Sequence, residues 1–80
     1  MSERMSFKVQ RMELREQRQR LELACKHTLE GVRERLNPVN PVTDIDEDAA
    51  LNFMLILSQQ LKELKGIDVK LSILHNELEG

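Results

Sequence analysis

Few side chains in this chain have the type and spacing to do chemistry. Asp44, Asp46 and Asp48 alternate, as do the first three ligands of a calcium-binding EF-hand loop. That loop also needs glycine at its sixth position and a bidentate glutamate at its twelfth. Here those positions hold Ala49 and Leu55, so the three acids are read as caps of a helix. Cys25 and His27 stand two apart, which on a helix aims them at different faces. No second cysteine exists to complete a zinc site. A helical di-iron centre would carry a glutamate three residues before His75, but Ser72 occupies that place. His75 is expected to pair with Glu79, one turn on. There is no phosphate-cradling glycine loop, no GxSxG and no HExxH. The expectation is a chain that is not an enzyme, with no metal, no cofactor and no small-molecule substrate.

Cations are the other candidate. Arg4, Lys8, Arg11, Arg15 and Arg18 follow one another at three or four residues, so they are expected to share a helical stripe, broadly opposite the apolar positions. Such a stripe could track phosphates or meet an acidic protein. Glutamates are interleaved, and Glu16 with Arg20 has favourable i,i+4 spacing. The competing reading is therefore a solvated, internally paired face.

The elements that carry these residues are helices. Residues 4–36 lack proline. Their apolar residues recur at Met5, Val9 and Met12, then at Leu14, Leu21, Cys25, Val32 and Leu36, with Leu29 beside them. Spacings of three, four and seven mark a helix face. Met1, Met5 and Met12 with Phe7 form a soft apolar edge where a partner could dock. Gly31 permits a close crossing or a bend. Asn37-Pro38-Val39-Asn40-Pro41 ends the helix, since proline disfavours helical geometry before it and lacks the ladder N–H. A second helix is expected from Thr43 or Asp44, with Asp44 and Glu47 as a capping box. The boundaries read as helix about 4–36, loop 37–43 and helix about 44–78, in one domain over 1–80.

In the second helix, Leu57, Leu64, Leu71 and Leu78 form a heptad ladder, with Ile67 and Leu74 between them and Gln60 as an interruption. This is coiled-coil patterning. Leu51, Met54, Leu55, Ile56, Val69 and Ile73 widen the apolar face beyond one seam. A single partner helix cannot cover so wide a face. The fold class is therefore all-α: an antiparallel, coiled-coil-like two-helix hairpin, expected to dimerise into a four-helix bundle. Phe53, Leu57, Leu61, Leu64, Ile67, Leu71, Leu74 and Leu78 are the expected oligomer or partner interface.

Composition agrees with this reading. Eighty residues, 40% hydrophobic and 32% charged, with two Phe and no Trp or Tyr, resemble a small helical bundle. Base stacking on aromatic rings is nearly unavailable. Net charge is −2, which draws the whole chain to neither nucleic acid nor anionic membrane. Residues 1–36 carry nine Lys or Arg against six acids, and residues 37–80 carry three against eight. The first half is thus mildly basic. One cysteine allows no internal disulfide. The N-terminus has no secretory h-region, and no apolar run approaches the roughly 20 residues of a membrane span. A cytoplasmic location is expected. The functional expectation is an adaptor, small chaperone or assembly factor of bacterial or phage type, binding protein through an apolar helical face. The alternative is a small nucleic-acid-associated regulator that uses the cationic stripe.

Overall fold

The computed structural model describes residues 3–79, with side chains from Met5 onward. Helix α1 spans Glu3–Arg35, helix α2 spans Glu47–Glu79, and a 3-10 turn at Val42–Asp44 lies between them. The helices run antiparallel and pack along their length, in a body 61 Å long and 16 × 14 Å in section.

One geometric repeat organises the pair. On α1 the residues drawn from solvent include Phe7, Arg11, Leu14, Arg18, Leu21, Cys25, Thr28, Val32 and Arg35. Their intervals alternate between four and three. On α2 the matching series is Ala50, Phe53, Leu57, Gln60, Leu64, Ile67, Leu71, Leu74 and Leu78. This 3.5-residue repeat keeps each seam turned toward the other helix. Cys25, Thr28, Val32, Ala50, Leu74 and Leu78 are buried, and the other seam residues are half-buried.

The first helix buries only part of the apolar series its sequence marks out: Leu14, Leu21, Cys25 and Val32 lie in the seam. Met5, Val9 and Met12 are exposed, as are Leu29 and Leu36. Met5, Val9 and Met12 lie two residues out of phase with Phe7, Arg11 and Leu14, which places them on the outer side of α1. The leucines of α2 impose the repeat, and the α1 residues in phase with Leu14, Leu21, Cys25 and Val32 include three arginines and a threonine. Met1 lies outside the described residues.

Gly31 makes room for Phe53. A Cβ there would stand 2.8 Å from Cε1 of Phe53, so the ring occupies the space that a side chain would take. The Arg35 guanidinium lies 4.4 Å from the centre of the same ring, a cation–π contact. Arg35 Nη1 also donates to the Gly31 carbonyl, at 3.4 Å. Phe53 is thereby held in a notch, with a cation closing it.

The start of the second helix differs from expectation. Thr43 and Asp44 belong to the 3-10 turn. Its N–H groups at Asp44 and Ile45 donate to the carbonyls of Pro41 and Val42, at 2.9 and 3.3 Å. Ile45 is extended, with φ −70° and ψ 122°, and this separates the turn from the helix. Asp46 is the true cap. Its Oδ1 accepts from the N–H of Ala49 at 3.0 Å, and its carbonyl accepts from Ala50 at 3.0 Å. Ile45 and Ala50 occupy the positions of a hydrophobic staple around it. Glu47 and Asp48 place negative charge in the first turn, where the helix dipole favours it. The loop before this is held by Asn37, whose Oδ1 accepts from Val39 N–H at 3.0 Å, and by Asn40, whose amide reaches the Glu34 carbonyl at 3.3 Å.

Replacing Asp46 with Ala should lower the unfolding free energy by about 1 kcal/mol. Asp44→Ala should stay within about 0.5 kcal/mol. Urea unfolding followed by circular dichroism separates them, and an order opposite to this would return the cap to Asp44.

Candidate interaction surfaces

The polar residues of the seam are engaged unequally. Arg18 crosses from α1 to α2, where its Nε donates to Asp68 Oδ1 at 2.6 Å and its Nη2 to Oδ2 at 3.5 Å. Its Nη1 donates to Glu22 Oε2 at 3.1 Å, and Lys26 Nζ stands 3.8 Å from the other oxygen of Glu22. The hydrogen bond from Arg18, followed by its charge, holds the Asp68 carboxyl below its ordinary value of 3.8. Asp68 in turn raises the Arg18 pKa. Thr28 turns its hydroxyl back onto the Ala24 carbonyl at 3.0 Å. Gln60 is left short: its Oε1 is buried with no hydrogen-bond partner.

The cationic stripe is divided by this arrangement. Arg11 and Arg18 are half-buried seam residues, whereas Lys8 and Arg15 are exposed on its flank. The side chain of Arg4 lies outside the described residues. Among the described residues the ion pairs are Arg18–Glu22, Arg18–Asp68 and Lys26–Glu22. Among the described residues neither Glu16–Arg20 nor His75–Glu79 is joined. The signal for the seam role of Arg11, Arg18, Thr28 and Arg35 is their unbroken three-and-four continuity with Leu14, Leu21, Cys25 and Val32, which residue type conceals.

The apolar candidates on α2 fall into two groups. Phe53, Leu57, Leu64, Ile67 and Leu71 are half-buried in the seam, and Leu74 and Leu78 are buried there. Leu61 is one residue past Gln60 and lies on the flank, 39% exposed. That flank is the side on which Arg18 meets Glu22 and Asp68. Along it α1 presents Lys8, Arg15, Glu22, Leu29 and Leu36, each one residue after a seam position. On α2 the equivalents are Met54, Leu61, Asp68 and His75. The flank is therefore apolar near the loop and charged toward the open end. Leu51 and Leu55 extend the apolar part around α2, and both are exposed. A separate set, Met5, Val9, Met12 and Leu23, faces outward from α1, and Val69 and Ile73 are exposed on α2.

Two open depressions mark the surface, one beside the loop at Leu36, Asn37 and Pro38, the other at Gln17, Leu21 and Glu63. Neither joins a nucleophile to a base. No cluster of three or more His, Cys, Asp or Glu among the described residues is placed to hold a metal ion, and Asp46 serves as a cap. Cys25 is a buried free thiol. No described helix is long and apolar enough to cross a membrane. Comparison with protein-family models, curated proteins and solved structures finds no match to this chain.

Two tests follow from the seam. Gln60→Leu removes an unsatisfied acceptor and completes the apolar series, so it should raise the unfolding free energy by about 1–2 kcal/mol in urea titrations. A loss of similar size would show that the Gln60 amide is satisfied in solution. Asp68→Asn should be less stable than the parent at neutral pH. Because folding lowers the pKa of Asp68, its contribution is complete above the ordinary 3.8 and is lost as pH falls through the lowered value. The two proteins should therefore converge in strong acid, and a pH-independent gap would place the loss in packing.

Proposed function

We propose that this hairpin is a non-catalytic protein–protein interaction module whose working surface is the apolar flank near the loop, and that its first partner is a second copy, giving a four-helix bundle. One observation carries the reading. Leu29, Leu36, Leu51, Met54, Leu55 and Leu61 are all exposed on the loop half of the hairpin, although the seam between the helices is already filled. Large apolar side chains left open together at one end of so small a hairpin are the mark of an interaction surface.

The mechanism is helix packing on a helical face. Seam leucines such as Leu57, Leu64 and Leu71 make the hairpin, and flank residues recruit the partner. These roles can be separated by mutation. In the cytoplasmic, reducing setting that the single thiol suits, an adaptor or assembly factor would present this face to other subunits. The cations give no comparable support to a nucleic-acid reading, since Arg11 and Arg18 sit in the seam and Arg18 is engaged by two carboxylates.

The double variant Leu51→Gln/Leu61→Gln should keep the helicity of the parent, because both residues lie outside the seam. Its melting temperature should lose the concentration dependence that self-association confers on the parent. Leu64→Asp, within the seam, should instead unfold the hairpin. A flank variant that unfolded equally, or one that kept the parent's concentration dependence, would remove the division between seam and working surface.

A further inference from the structure

We propose that the second copy binds through a self-complementary stripe on α2, with the two α2 helices antiparallel and centred on position 56. This rests on the self-association reading above and adds its register and polarity.

The stripe is Glu47, Leu51, Met54, Ser58, Leu61 and Lys65, at intervals of four, three, four, three and four. Leu51, Met54, Ser58, Leu61 and Lys65 each follow a seam residue of α2 by one position, about 100° around the helix, and Glu47 continues that phase one turn earlier. All six are exposed, with Leu51 60%, Met54 45% and Leu61 39% open to solvent. The positions are symmetric about residue 56. When a second α2 is laid against the first in the opposite direction, Glu47 faces Lys65 of the other copy, Leu51 faces Leu61 and Met54 faces Ser58. A twofold axis repeats each pairing, so one stripe yields two ion pairs that flank the leucine contacts and the central Met54–Ser58 pairs.

Charge selects this direction. Glu47 and Lys65 form no ion pair within the described hairpin, so both remain available. In the parallel arrangement Glu47 would meet Glu47 and Lys65 would meet Lys65, and like charges across an interface oppose binding. The antiparallel arrangement also moves the acidic start of each α2, with Glu47 and Asp48, away from its own image. It sets them beside the region of Lys62 and Lys65. Leu29 and Leu36 of α1, exposed on the same flank, border the contact and can close over it. Because position 56 lies nearer the loop than the open end, the copies overlap by their loop halves and their open ends project in opposite directions. The assembly is then longer than the 61 Å hairpin.

The test is a charge exchange read by sedimentation equilibrium with interference optics, which suits a chain without Trp or Tyr. Glu47→Lys alone and Lys65→Glu alone should each weaken the dimer roughly tenfold, since each turns two attractions into two repulsions. The double variant should regain parental affinity. Helicity is monitored in parallel, because Glu47→Lys also opposes the helix dipole, an effect the second substitution does not reverse. A dimer that ignores the single exchanges, or a double variant weaker than either, would overturn the stripe and leave self-association standing. A monomer at every concentration would overturn both.

Discussion

Two helices can share only one seam, and every other feature of this molecule depends on that limit. Each helix is 33 residues long, and each offers its partner a single line of side chains at alternating intervals of three and four. A pair of helices cannot surround anything. Among the described residues no side chain is fully enclosed, and the buried apolar ones are Cys25, Val32, Ala50, Leu74 and Leu78. A chain this small is expected to leave much of its surface wet. The apolar side chains of α2 outnumber the places the seam provides, and the surplus stands outside it.

The seam itself is asymmetric. The α2 side is almost wholly apolar, with Gln60 as the interruption, whereas α1 contributes Arg11, Arg18, Thr28 and Arg35. Long cationic side chains suit such positions, because their stems pack while their charged ends reach outward. Arg35 does this over Phe53, and Arg18 does it toward Asp68 and Glu22. These two contacts, with the notch at Gly31, tie particular residues of α1 to particular residues of α2. They specify alignment more than they add strength, since ion pairs in water are weakly stabilising. Gln60 fits the same pattern: a buried polar group lowers stability but resists slippage of one helix along the other.

The helices, the loop at the two Asn-Pro pairs and the heptad of α2 were legible from periodicity, because leucine at every seventh position leaves one reading. The α1 seam was legible only in part. Its apolar residues suggested one face from Met5, Val9 and Met12 through Leu14, Leu21, Cys25 and Val32, and its arginines suggested a separate solvent stripe. The structure keeps Leu14, Leu21, Cys25 and Val32 in the seam, exposes Met5, Val9 and Met12, and draws two of those arginines inward. Residue type misleads here because a long arginine can serve in a seam, and α2 rather than α1 sets the phase. The start of α2 was legible only to within a turn. Asp44, Asp46 and Asp48 are all competent caps, and the choice falls to Asp46 because Pro41 first initiates a 3-10 turn and Ile45 then runs extended. In the candidate surface, Leu61 was grouped with the seam leucines, yet one residue of phase puts it on the flank with Met54, Leu29 and Leu36.

Seam and flank therefore divide the work. The seam makes the hairpin, and in the proposed function the flank near the loop is the surface a second copy covers. The claim on which this depends is that the surplus apolar surface is covered by a second copy. Molar mass by light scattering behind a sizing column, with refractive-index detection and serial dilution, addresses it directly. The account predicts twice the 9.3 kDa chain mass, falling toward the single-chain value on dilution. A helical species that keeps the single-chain mass at the highest concentration reached would contradict it.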